Sequence, residues 1–129
     1  MNRRSSLLAT LLLVAGSPVM GQQIAKDDYV IIKPKHSGFY STPLDTLLTY
    51  LGARHLIITG LTTERCLLFT ANDAFLRDFA LSCPADCTAA IDEADHAAAI
   101  RILERVLGAN VADSEQLDFT SLLKSHPGG

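Results

Sequence analysis

Tryptophan is absent from the 129 residues, and lysine and arginine, 11 together against 14 acidic residues, are scattered rather than clustered. Without a basic stripe or interleaved aromatics, the chain has no electrostatic footprint for nucleic acid. Its cysteines number three, and an odd count does not make a disulfide framework. The histidines form no H-x-H or helical pair, and Cys83 and Cys87 would need two further ligands, so no metal or other cofactor is expected. Neither thiol of that pair is marked for chemistry; each reads as buried or half-buried packing. The longest apolar run, Leu7 to Ala15, is too short for a stable membrane span. No internal repeat is present.

What remains is an apolar chain of one-domain size, 48% hydrophobic and 19% charged, short for a complete doubly wound fold. Residues 1–25 allow two readings. A basic start at Arg3-Arg4, the apolar run, Gly16 and Pro18, and the small-residue Val19-Met20-Gly21 lay out a secretory signal peptide. Alternatively, Leu11-Leu12-Leu13-Val14 is what is left of a first strand.

From Lys26 the chain alternates. Tyr29-Val30-Ile31-Ile32 predicts a strand ending at Lys33-Pro34. Thr42 caps a helix with Pro43 in its first position, Leu44, Leu47, Leu48 and Leu51 on one face and Gly52 at its end. His55 to Thr59 predicts a buried strand. A helix from about Glu64 to Asp78 follows, with Leu67, Leu68, Ala71, Ala74 and Phe75 inward. Ala80 to Cys83 predicts a third strand. Glu93 to Leu107 predicts a helix burying Ile100, Leu103, Val106 and Leu107, closed by Gly108. Ala109 to Val111 is a short last strand and Ser114 to Leu123 a terminal helix. The pattern is α/β: three layers, α/β/α, around a mostly parallel, doubly wound sheet.

In such a sheet, function lies beyond the carboxyl ends of the strands. Lys33 and Cys66 both fall at such ends. Cys66 also opens a helix, where free N–H groups and partial positive charge favour a thiolate and can hold an oxyanion. On spacing alone, Cys66 reads as a small buried residue and Lys33 as a solvated one.

Resemblance changes both readings. Gly60-Leu61-Thr62-Thr63-Glu64-Arg65-Cys66-Leu67, followed by Thr70-Ala71-Asn72-Asp73-Ala74, resembles the nucleophile turn of the isochorismatase-like cysteine hydrolases, which include nicotinamidases and related amidases. Lys33-Pro34-Lys35-His36-Ser37-Gly38-Phe39 resembles that family's lysine motif, and Pro84-Ala85-Asp86-Cys87 a segment after its next strand. Three motifs in order, from about Asp28 to Val111, identify the chain as a member.

The resemblance implies that Cys66 attacks a small amide to form a thioester, with Lys33 stabilising the thiolate. It implies an oxyanion hole from the N–H groups of Thr62 and Cys66, next to a cis bond between Leu61 and Thr62. Phe39, Tyr40 and His36 are the candidates for the substrate mouth, although Phe39 and Tyr40 suit core packing equally and His36 reads first as a solvent-facing loop histidine. The family's catalytic Asp has no counterpart, since Ala15 stands in its place. Asp73, on the nucleophile's helix, reads as structural. The expectation is a family member lacking the N-terminal strands and impaired in turnover.

The domain layout is therefore 1–25 as leader or strand remnant, 26–123 as the C-terminal part of the hydrolase domain, and 124–129 as a mobile tail. A cytoplasmic homo-oligomer is favoured, or an exported protein if residues 1–21 are a signal. Two alternatives differ in class: a non-catalytic remnant or interaction module with the same half-fold, and, more weakly, an isochorismatase-type vinyl ether hydrolase.

Overall fold

The computed structural model describes residues 9–13 and 26–124, with residues 9–13, 123 and 124 described by backbone alone. Of the proposed leader, residues 1–8 and 14–25, Ala15 among them, lie outside the described residues, as do tail residues 125–129.

Strand β2 (His55–Leu61) is the axis of a parallel sheet. On one side it pairs with β1 (Ala9–Leu13), from Ala9 opposite Leu56 to Leu13 opposite Gly60. On the other it pairs first with β3 (Ala80–Ser82), then with the two-residue β4 (Thr88–Ala89) opposite Gly60 and Leu61. The handover has a local cause. After Ser82 the chain reaches Pro84, which has no N–H to donate, and Cys83 N–H turns instead to Asn110 O at 2.7 Å. Asn110 bridges Ser82 in parallel, the remainder of the expected last strand.

Leu56, Ile57 and Ile58 are all buried, so β2 is covered on both faces despite the alternation of its side chains. Leu56 and Ile58 join one core with Leu44 and Leu48 of α1 (Leu44–Leu51), Leu67, Ala71 and Ala74 of the next helical segment, Leu81 of β3 and Leu103 of α3 (Glu93–Arg105). Ala71 and Ala74 put no bulk between α2 (Leu68–Phe75) and the sheet.

The helix ends follow from sequence. Leu44 N–H donates to Thr42 Oγ1, and Pro43 precedes the first turn of α1 rather than occupying it. Gly52 takes φ 66°, and Ala53 N–H reaches back to Leu48 O, closing the helix as a glycine-dependent cap. Asp92 Oδ1 caps α3 by accepting from Ala94 N–H at 2.7 Å. Asp86 accepts from both the hydroxyl and the N–H of Ser114, bonds that hold its carboxyl below the usual range and tie the segment after β3 to a short 3-10 turn, Ser114–Gln116. Helix α4 (Phe119–Lys124) ends the described chain, so Lys124 belongs to a helix rather than to the tail.

Three expectations are corrected. Tyr29 to Ile32 forms no ladder: Tyr29, Val30 and Ile32 are exposed, and only Ile31 leans on the core. A β-branched run becomes a strand only where a neighbouring edge takes its hydrogen bonds, and Tyr29 to Ile32 pairs with none of the described strands. Val106 is exposed because α3 stops at Arg105 and Leu107 takes the inward position. Phe75, the last residue of α2, is also exposed, since Ala71 and Ala74 already occupy that helix's inward face.

Candidate active site

β2 ends at a turn that only glycine enters easily, with Gly60 at φ 115°. The Leu61–Thr62 peptide is cis. Thr62 is extended, and its carbonyl then accepts from both Arg65 N–H and Leu67 N–H at 3.2 Å. The second bond spans five residues, so Thr63–Leu67 is a π-helical turn before α2 begins. Cys66 lies in this wide turn, 7% exposed.

The lysine loop is fastened against the turn by hydroxyls. Thr70 Oγ1 donates to Cys66 O and accepts from Gly38 N–H at 2.9 Å. The Ser37 hydroxyl donates to Asp73 and accepts from Phe39 N–H. Asp73 is further engaged by Arg77 Nη1. Phe39 anchors the loop from below: it sits in the core, tilted on Phe79, with the Arg77 guanidinium 4.6 Å from its ring centre.

The result is a short polar cluster. Lys33 Nζ lies 3.2 Å from Cys66 Sγ and donates also to Lys35 O at 2.9 Å. His36 Nδ1 lies 3.7 Å from the same sulfur, its ring tilted against Phe69 at a centroid distance of 5.7 Å. A lysine amine and an imidazole therefore meet one thiol at a helix start.

Of the residues expected on this site, Cys66, Lys33 and His36 come together and Thr62 adjoins them through the turn. Tyr40 is exposed. Phe39, which suited either the substrate mouth or the core, is a core residue, packed against Phe79 and Arg77. Thr70 and Ser37 escaped the sequence reading, although both lie inside the quoted motifs. Their signal was a hydroxyl repeated at each end of the cluster. Cys83 is fully buried, and burial pushes its thiol up to about 12; Cys87 is half-buried.

A family model described as the isochorismatase domain matches residues 17–116. The chain belongs to the isochorismatase family. It is 49% identical over 90 residues to an isochorismatase family protein of Bacillus subtilis, an alignment covering 70% of this chain and 50% of that relative. Among solved structures of this fold, a nicotinamidase from Staphylococcus aureus superposes with a TM-score of 0.63 at 33% identity, covering 64% of this chain and 52% of the other. An N-carbamoylsarcosine amidase from Thermoplasma acidophilum gives a TM-score of 0.66 at 33% identity, with coverages of 74% and 54%. The chain thus spans about half the length of these isochorismatase-family relatives. The residues matched by the family model, 17–116, contain the cysteine turn and the lysine loop. No helix among the described residues is long and apolar enough to cross a membrane.

Proposed function

We propose that the chain is a cysteine hydrolase that opens a carbon–nitrogen bond of a small amide. The observation that supports this reading above others is the Lys33 Nζ to Cys66 Sγ contact of 3.2 Å at the head of the nucleophile's helix. Sulfur attacks the carbonyl carbon, and its electron pair forms the C–S bond while the C=O pair moves onto oxygen. The N–H groups of Thr62 and Cys66 receive that oxyanion. As the C–N bond breaks, the amine leaves with a proton, and water then cleaves the thioester. His36 Nδ1 is within hydrogen-bonding reach of the thiol and serves as the site that takes up and returns the proton.

Asp73 is engaged by Ser37 and Arg77 rather than by the thiol. With His36 as the group that moves the proton, His36→Ala should lower turnover by about 10²–10⁴-fold, the contribution typical of a general acid/base. Incubation with nicotinamide and with N-carbamoyl amino acids, reading ammonia release together with a mass adduct on Cys66, tests the reading. Ammonia release that disappears in Cys66→Ala supports it; an adduct-free Cys66 and no release from either class rejects it.

A second reading, a self-associating module, draws on the exposed Tyr29, Val30 and Ile32 beside the cluster's loop. Light scattering of the purified chain separates them: a module associates whether or not Cys66 is alkylated, whereas a hydrolase loses ammonia release on alkylation.

A further inference from the structure

Behind the cysteine turn lies a second polar group with no part in the chemistry above. Thr63, fully buried, places Oγ1 2.9 Å from Thr88 Oγ1 and 2.9 Å from His96 Nδ1. Thr88 Oγ1 in turn donates to Gly60 O at 2.7 Å. The chain of contacts therefore runs from α3, through the residue after Thr62, to the strand end that launches the turn.

Counting protons fixes its direction. Each threonine hydroxyl has one hydrogen. A carbonyl cannot donate, so the hydrogen of Thr88 belongs to Gly60 O. The contact between the two hydroxyls then needs the hydrogen of Thr63. With that hydrogen committed, the third contact exists only if His96 supplies the proton from Nδ1. The reverse assignment, Thr63 donating to His96, would leave two hydroxyl oxygens 2.9 Å apart in a buried site with no hydrogen between them, an arrangement that costs the desolvation of both.

We propose that His96 is a positioning residue held in the Nδ1–H form, the donor that heads a one-way relay, His96 to Thr63 to Thr88 to Gly60, which clamps α3 and β4 onto the cysteine turn. The relay places the backbone between Gly60 and Cys66 and does not touch the reacting atoms. Only its effect on catalysis rests on the hydrolase reading; the direction of the relay does not.

The test is imidazole ¹⁵N NMR of the full chain at pH 8 to 9, with His96 assigned by the resonance missing from His96→Asn. The expected result is a protonated Nδ1 and a bare Nε2, opposite to the tautomer that free neutral histidine prefers. Thr88→Val removes the acceptor for Thr63, whose hydrogen then turns to His96, so the tautomer should switch to Nε2–H. An Nε2–H tautomer in the unmodified chain, or a tautomer unmoved by Thr88→Val, overturns the relay. The positioning role is read separately by iodoacetamide alkylation of Cys66. His96→Leu, which offers no N–H, should slow it at least threefold, and His96→Asn, whose amide can donate from the same place, should restore it to within twofold. Equal rates in the two variants overturn the positioning role. Absence of amide hydrolysis in a chain that passes both tests rejects the hydrolase reading alone.

Discussion

Cys66 and Cys83 follow neighbouring strands of one parallel sheet, β2 and β3, at their carboxyl ends, and both are buried. They differ in what surrounds the sulfur. Cys66 faces an ammonium at 3.2 Å and an imidazole at 3.7 Å, whereas Cys83 belongs to the apolar core and its thiol is pushed up to about 12 by burial alone. Strand topology thus brings a thiol to the right end of the sheet without making it a nucleophile. What differs is the lysine beside Cys66, which arrives on a loop fastened by Thr70 and Ser37.

The largest effect should come from removing Cys66. In the native chain at pH 7.5, iodoacetamide should label Cys66 first and Cys83 only after denaturation. Cys66→Ala should bring any amide hydrolysis to background. Peptide mass spectrometry reads the labelling order, and native-state labelling of Cys83 as fast as Cys66 would break the contrast between the two sites. Next in size is Lys33→Ala. Losing an opposite charge in contact with the thiolate should slow labelling of Cys66 at pH 7 by about tenfold or more, with no change at Cys83. Indifference of Cys66 to Lys33 would mean that the contact has no electrostatic consequence.

Much of this contrast is readable from the chain, and the unreadable part has a physical pattern. Helix α1 was legible because its signals are local: a threonine cap, leucines three and four apart, and a glycine whose φ of 66° suits no other residue as well. The buried β2 was legible as an apolar run. Cys66 and Lys33 needed the motif resemblance, since a lysine and a cysteine 33 residues apart have no local signal of contact. Phe39 stayed undecided because an aromatic beside a polar motif suits a pocket wall and a core anchor equally, and only the fold puts it in the core. Strand β4, two residues long, has no periodicity to detect. The hydroxyl contacts of Thr63 join residues 25 and 33 positions away, so only the fold reveals them.

The fastening of the loop is tested by Thr70→Val, nearly equal in volume. It removes the acceptor of the buried Gly38 N–H, which should cost about 1–3 kcal/mol by the usual penalty for an unsatisfied buried donor. Urea midpoints measure that loss. The same variant should also blunt the response of Cys66 labelling to Lys33→Ala, because the loop would no longer hold the ammonium in place. Lost stability with an undiminished Lys33 effect would assign Thr70 to packing alone.

The smallest effect concerns Cys83 and appears only in alkali. Its folded value, about 12, lies above the 9.0 of an unperturbed thiol, so the native state keeps a proton that the unfolded chain gives up between those values. The stabilisation from this group is complete below about pH 9 and is lost as pH rises towards 12, at a slope of at most roughly 1.4 kcal/mol per pH unit. Lysines and tyrosines titrate in the same window, so the quantity to measure is a difference. Urea unfolding of the native sequence and of Cys83→Ala, under reducing conditions at pH 8, 9 and 10, should give curves whose stabilities converge as pH rises. Parallel curves would mean that Cys83 reaches solvent before it ionises, and the buried thiol would then resemble Cys66 in access while still lacking its ammonium.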